Sequence, residues 1–137
     1  MTLCNPFSIR VYWEDTDAGG VVFYANYLKY FERARTEWLR SLGVEQRTLQ
    51  METKTIFVVA DVQVRYLAPA RLDDVLTVTV NVLRQGSASL LLEQQARCDI
   101  SLLAEGRVRV GCVDASNLRP SRIPEYVRKL LTPASLP

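Results

Sequence analysis

Asn26-Tyr27-Leu28-Lys29-Tyr30-Phe31-Glu32-Arg33-Ala34-Arg35-Thr36-Glu37-Trp38-Leu39-Arg40-Ser41-Leu42 is a long stretch with helical periodicity, and it sets the frame for the rest of the chain. Tyr27, Tyr30, Phe31, Ala34, Trp38 and Leu42 recur at three- and four-residue steps, which builds a broad apolar stripe. Lys29, Glu32, Arg33, Glu37 and Arg40 supply the polar side. Asn26 reads as the N-cap and Gly43 as the C′ residue, so end signals and periodicity agree.

On the N-terminal side, residues 8–14 alternate. Ile9, Val11 and Trp13 fall on one face and Arg10, Tyr12 and Glu14 on the other, the pattern of a half-buried strand. Asp15-Thr16-Asp17-Ala18-Gly19-Gly20 then reads as a turn or irregular loop. On the C-terminal side, a short helical turn is expected over 44–51. The period then switches to two. Val58, Ala60, Val62, Val64 and Tyr66 alternate with Asp61, Gln63 and Arg65, and a turn follows at Pro69-Ala70. Leu76, Val78, Val80 and Val82 alternate with Thr77, Thr79 and Asn81, and Gln85-Gly86 marks a tight turn. Two more strands are expected near 87–98 and 102–113. The tail, 114–137, holds four of the six prolines and a short helical piece near 125–131.

The element order is strand, long helix, then four antiparallel strands, an α+β arrangement in one domain spanning 1–137. One helix covers only one face of a five-stranded sheet, so the other face is expected to find cover through self-association.

Composition narrows the chemistry. Of the 137 residues, 48% are apolar and 23% charged, an ordinary globular balance. The net charge of +2 argues for neither nucleic acid nor a membrane surface. No apolar run approaches the roughly 18 residues of a membrane span, and the start of the chain lacks a signal-peptide layout. Cys4, Cys98 and Cys112 are odd in number and widely spaced, which fits reduced thiols in the cytoplasm. The chain contains no histidine. That excludes Ser-His-Asp and Cys-His catalysis, imidazole zinc sites and a histidine base. Carboxylates, tyrosines and backbone dipoles remain.

Val11-Tyr12-Trp13-Glu14-Asp15-Thr16-Asp17-Ala18-Gly19-Gly20-Val21-Val22-Phe23-Tyr24-Ala25-Asn26-Tyr27 closely resembles the signature of the 4-hydroxybenzoyl-CoA thioesterase family. The continuation from Leu28 to Trp38 is similar to its Tol–Pal-associated (YbgC-like) acyl-CoA thioesterase branch. Pro69-Ala70-Arg71-Leu72-Asp73-Asp74 and Leu118-Arg119-Pro120 also fit that branch. The resemblance implies a hot-dog fold, a long central helix packed on a curved five-stranded antiparallel sheet. It implies hydrolysis of an acyl-CoA thioester, by a homodimer or homotetramer, without cofactor or metal. The alternative thioester carrier is acyl carrier protein.

Carried onto this chain, the family's catalytic carboxylate falls on Asp17, and the amide that polarises the thioester carbonyl falls on Tyr24. Arg84, before the Gln85-Gly86 turn, matches the basic residues that hold CoA phosphates. Many members of the Tol–Pal branch carry histidine where this chain has Tyr24, whereas the 4-hydroxybenzoyl branch has tyrosine there.

The residues suit that chemistry. A helix N-terminus offers free N–H groups and the positive end of the macrodipole. Gly19 and Gly20 let the backbone approach a ligand closely, and Asn26 at the helix start joins them as a substrate contact. Asp17 acts either as a nucleophile or as a base on water, and the sequence leaves both open. Asp15 reads as structural, bonding loop amides, and Glu32 as one half of a solvated ion pair with Lys29 or Arg35. Two other classes compete. A hot-dog dehydratase needs a histidine that is absent, and a non-catalytic acyl-thioester binding module keeps the Tyr24 difference in its favour.

Overall fold

The computed structural model describes residues 6–131, so Cys4 lies outside the described residues. Strand β1 (Phe7–Arg10) is followed by a 3-10 turn, Trp13–Asp15, and by helix α1 (Asn26–Ser41). Helix α2 (Gln46–Thr53) leads into β2 (Thr55–Tyr66), β3 (Val75–Gln85), β4 (Ser89–Cys98) and β5 (Ser101–Asp114). Helix α3 (Glu125–Leu131) closes the order. The five strands form one antiparallel sheet in the order β1-β3-β4-β5-β2, curled around α1 as in a hot-dog fold.

Helix α1 forms where the periodicity places it. Tyr27, Tyr30, Phe31, Ala34, Trp38 and Leu39 are buried against the sheet. Its inward partners are Leu76, Val78 and Val80 on β3, Leu90, Leu92 and Ala96 on β4, and Ala104, Val108 and Val110 on β5. At the C-terminus Gly43 takes φ +93°. Its amide bonds the Arg40 carbonyl at 3.0 Å, and Val44 N–H reaches the Leu39 carbonyl at 2.8 Å. That pair of bonds is a Schellman motif, so Gly43 ends the helix as expected.

Four expectations change. The first strand is shorter than 8–14, because the Asp15 carboxylate accepts the Tyr12 amide at 2.8 Å and winds the chain into the 3-10 turn. Trp13 therefore leaves the apolar face and stands 84% exposed. The cap of α1 is Ala25, while Asn26 is the first helical residue. In β2 the register shifts between Val59 and Asp61. A bulge inserts one unpaired residue and reverses the alternation, so Phe57, Val59, Val62 and Val64 pair with the buried side of β5 and Val58 does not.

The fourth change concerns the sheet's outer face. Thr77, Thr79, Glu93, Gln95, Arg107 and Arg109 occupy the outward positions of β3, β4 and β5 and are half-buried or exposed. A polar face of this kind needs no apolar cover. Within the sheet, exposed apolar side chains gather on the edge strand β2, at Val58, Val59, Val62 and Tyr66, with Val75 and Leu83 exposed on β3.

Candidate active site

The loop between the 3-10 turn and α1 is tied down by its own backbone. Asp17 N–H bonds the Val21 carbonyl at 2.9 Å, and Gly20 N–H bonds the Asp17 carbonyl at 3.0 Å. Gly20 sits at φ +81°, a conformation that carries a steric penalty for any residue with a Cβ. The Asp17 side chain continues this turn. Its Oδ1 accepts Gly19 N–H at 2.8 Å and Val21 N–H at 3.4 Å. Among the described residues Oδ2 receives no protein donor, so the exposed carboxylate is anchored through one oxygen and presents the other.

Asp15 is the hub behind this loop. Besides its side-chain bond to Tyr12, its carbonyl accepts Phe23 N–H at 2.9 Å and Asn26 Nδ2 at 2.9 Å. Its structural reading stands. Asn26 thus fixes the start of α1 to the Asp15 loop through its side chain, rather than capping the helix.

At the helix start the amides of Tyr24 and Ala25 donate to no protein acceptor among the described residues. Such orphan donors carry the positive end of the helix dipole. The Tyr24 carbonyl is held by the Tyr66 hydroxyl, which donates to it at 2.9 Å. Tyr24, Tyr27 and Tyr66 pack edge to face, with Tyr66 centroids 6.1 Å from Tyr24 and 5.4 Å from Tyr27. Together with Val22 and Pro69 they line an open cavity of about 300 Å³. Burial raises the pKa of Tyr66, with the Tyr24 hydroxyl adding to it. Burial also raises that of Tyr27, opposed by a backbone hydrogen bond at Ala70. Both phenols stay neutral near neutral pH and serve as walls, Tyr66 also as a hydrogen-bond donor, not as proton carriers.

The loop after β2 lies directly alongside. Val22 N–H bonds the Ala70 carbonyl at 2.9 Å, and Val21 forms an isolated bridge with Arg71. The Asp74 carboxylate accepts Arg71 N–H at 2.9 Å, and Arg10 Nη1 donates to the Asp73 carbonyl at 2.8 Å. A second, wider basin of about 670 Å³ opens here between Arg10, Tyr12, Trp13, Glu14, Leu72 and Asp73.

Asp17, Gly19, Gly20, Tyr24 and Asn26 are therefore brought together on one loop and helix start. Arg84 is not. It lies toward the other end of β3 from Val75, roughly 30 Å of strand length away, and Val75 is the end next to the Asp17 loop. Within one chain Arg10, which holds the Asp73 carbonyl, and Arg71, bridged to Val21, flank the loop. Sequence reasoning missed Tyr66 as a site residue, since it stands only as the last member of an alternating stripe. Arg71 was in view within the 69–74 motif, but no local signal ties it to Asp17.

Residues 11–131 match the model of the Thioesterase-like superfamily. The acyl-CoA thioesterase YbgC of Haemophilus influenzae is 44% identical over 122 residues, covering 89% of this chain and 90% of that protein. The acyl-CoA thioester hydrolase YbgC of Escherichia coli is 42% identical over 120 residues, covering 87% of this chain and 89% of that protein. A probable thioesterase from Bartonella henselae superposes with a TM-score of 0.85 at 32% identity, over 89% of this chain and all (100%) of that one. The fold, the ungapped loop-to-helix motif and these matches agree, and the chain belongs to the thioesterase-like superfamily, on its YbgC-like branch.

Proposed function

We propose that this acyl-CoA thioesterase works through Asp17, with the amides at the start of α1 as oxyanion donors. The observation that carries the reading is the Asp17 carboxylate, anchored on Oδ1 and open on Oδ2, on the loop that leads into the free Tyr24 and Ala25 amides. The names of the YbgC relatives supply the reaction, hydrolysis of an acyl-CoA to acid and CoA.

Two routes balance. In one, Oδ2 adds to the thioester carbonyl, the CoA thiolate leaves, and water hydrolyses the mixed anhydride. In the other, Asp17 takes a proton from water as the hydroxide adds, and the thiolate leaves as the tetrahedral intermediate collapses. In both, negative charge develops on the carbonyl oxygen, where preorganised amides are worth about 3 to 4 kcal/mol of barrier. A thiolate leaves without a strong acid, so the lack of histidine is no obstacle. The open cavity under Tyr24, Tyr27 and Tyr66 suits the acyl group. The basin beside Trp13 and Arg10 suits the CoA nucleotide, whose base stacks on aromatic surface and whose phosphates attract guanidinium groups. Gly19, Gly20 and Asn26 shape the path between them. For Arg84 to meet the same CoA it must come from another copy.

A second copy also accounts for β2. A twelve-residue edge strand with four exposed apolar side chains is a pairing hazard in a monomer. Homodimerisation through this edge, with or without further assembly into a tetramer, removes it. The unpaired thiols Cys98 and Cys112 suit the cytoplasm.

The test is turnover of a panel of aliphatic and aromatic acyl-CoAs with free thiol trapped, beside Asp17→Asn. A loss of roughly a hundredfold or more in kcat with an unchanged melting temperature supports the assignment. Full activity in Asp17→Asn sinks it. Tight binding without turnover by the wild type favours the binding-module reading. Faster release from acyl carrier protein than from CoA would name the other carrier.

A further inference from the structure

A third cavity, of about 130 Å³, lies further along α1, between that helix, β2 and the inner face of β4 and β5. Trp38, Leu39, Phe57, Val59, Leu90 and Leu92 make its walls apolar. Its polar end is Arg35. The guanidinium is half-buried, and among the described residues it has no carboxylate oxygen within 4.0 Å. Among the described residues its one hydrogen bond is from Nη1 to Oε1 of Gln94 at 2.9 Å. Gln94 is fully buried, and its Nε2 donates to the Phe31 carbonyl at 3.0 Å, which fixes the amide orientation and aims Oε1 at Arg35.

Glu32 lines the same cavity but is exposed, and its carboxylate accepts the Thr36 hydroxyl at 2.7 Å, which in turn accepts Gln46 Nε2 at 3.1 Å. The expected ion pair of Glu32 with Lys29 or Arg35 is not formed. Burial lowers the pKa of Arg35, with the Glu32 charge opposing, yet a guanidinium keeps its proton at any working pH. A half-buried cation that holds one neutral acceptor and has four N–H donors to spare is costly unless something anionic completes it.

The cavity lies in line with the site. Leu28, Glu32, Arg35 and Leu39 follow one another at three- and four-residue steps, so they share a stripe along α1 that starts just past the Tyr24 turn. Val62, exposed, stands on the same face of β2 between Val59 at the cavity and Tyr66 at the helix start. Arg35 is nine residues past Asn26, roughly 14 Å along the helix, and its side chain leans back toward the N-terminus.

We propose that this cavity binds a carboxylate borne on a short apolar body, with Arg35 as the anion contact and Gln94 as its positioning residue. One source of that carboxylate is the distal end of an acyl chain whose thioester lies at Asp17; the other is a free organic acid. The first source rests on the function proposed above and assigns specificity to ω-carboxyacyl thioesters.

The experiment compares turnover of straight-chain acyl-CoAs with that of their ω-carboxy counterparts of equal length, by wild type, Arg35→Gln and Arg35→Lys. At a matching chain length the wild type should prefer the ω-carboxy form in kcat/KM. Arg35→Gln should lower that form about ten- to hundredfold and leave the plain acyl-CoA unchanged, and Arg35→Lys should restore part of the preference. Binding is read separately, by calorimetric titration of free hexanoate and adipate into wild type and Arg35→Gln. Arg35-dependent binding of these acids, without ω-carboxy preference in turnover, identifies the free acid as the source. Absence of both effects in the wild type overturns the proposal even if the variants fail to fold. An Arg35→Gln protein that dissociates into monomers, with selectivity unchanged, also overturns it and makes the guanidinium a subunit contact. Loss of all turnover with Arg35-dependent acid binding intact would count against the thioesterase mechanism and not against the cavity.

Discussion

Tyr30 tests how well the interior is satisfied around the site. Its ring is fully buried and its hydroxyl finds no partner of hydrogen-bond geometry among the described residues. Burial raises its pKa first, and the nearby Asp15 carboxylate raises it further. A buried hydroxyl without a partner carries its desolvation penalty uncompensated, about 1 to 3 kcal/mol. Tyr30→Phe should therefore melt at the same temperature as wild type or higher in a calorimetric scan. A drop of several degrees would mean that the hydroxyl has a partner, Asp15 being the nearest. Tyr66 predicts the opposite. Its hydroxyl holds the Tyr24 carbonyl at 2.9 Å, on the peptide next to the proposed oxyanion amides. Tyr66→Phe should cost about 1 kcal/mol in kcat/KM, close to fivefold, with the ring packing retained. Unchanged kinetics would remove Tyr66 from the site. Asp17, Gly19, Gly20 and Tyr24 could be proposed from the sequence because they lie within one eight-residue stretch. Tyr66 could not, because a residue 42 positions away meets Tyr24 only after the sheet has curled around α1.

Among the elements, β5 brings Gly106 close against Phe31 of α1. A Cβ there would stand 2.9 Å from Phe31 Cε2 and 3.5 Å from the Gln63 carbonyl oxygen. Gly106→Ala should destabilise by about 1 to 3 kcal/mol through overpacking, read as a lower denaturant midpoint with unchanged slope. Wild-type stability would mean that Phe31 swings aside freely. The turn after β5 depends on charge instead. The Asp114 carboxylate accepts Ser116 N–H at 2.8 Å, the Ser116 hydroxyl at 2.5 Å and Asn117 N–H at 3.4 Å, beside Leu118 at φ +62°. The Ser116 bonds hold its pKa below the usual carboxylate range. A depressed folded-state pKa means stability that is fully present above the unfolded value of about 3.9 and is lost as pH falls toward the folded value. Asp114→Asn should thus flatten the melting temperature's dependence on pH below that value, and an unchanged acid limb would remove the turn from acid stability. The Gly43 end of α1 and the alternation of β3 to β5 were legible at this scale, since such signals are local. The Ala60 bulge was not, because it is defined by the partner strand β5 that two residues must face at once.

For the molecule as a whole, β2 is the element left unfinished. Val59→Lys or Val62→Lys on the exposed edge should convert the proposed oligomer to monomer in light scattering, while circular dichroism keeps the same strand content. An unaltered mass would place the interface elsewhere. Composition, the absence of histidine and the periods of helix and strands determined the α+β class and narrowed the chemistry, while the family resemblance of residues 11–38 implied the hot-dog fold and the role of Asp17. Periodicity and turn residues act through neighbours within a few positions, so no tertiary contact was needed to read them. The tertiary structure alone decided that β2 is an edge strand that exposes apolar side chains, that Trp13 faces solvent, and that Arg84 lies far from Asp17 within one chain. It alone joined Arg35 to Gln94, 59 positions apart. Each of these depends on strand order and register, which are set by long-range pairing that no local pattern encodes.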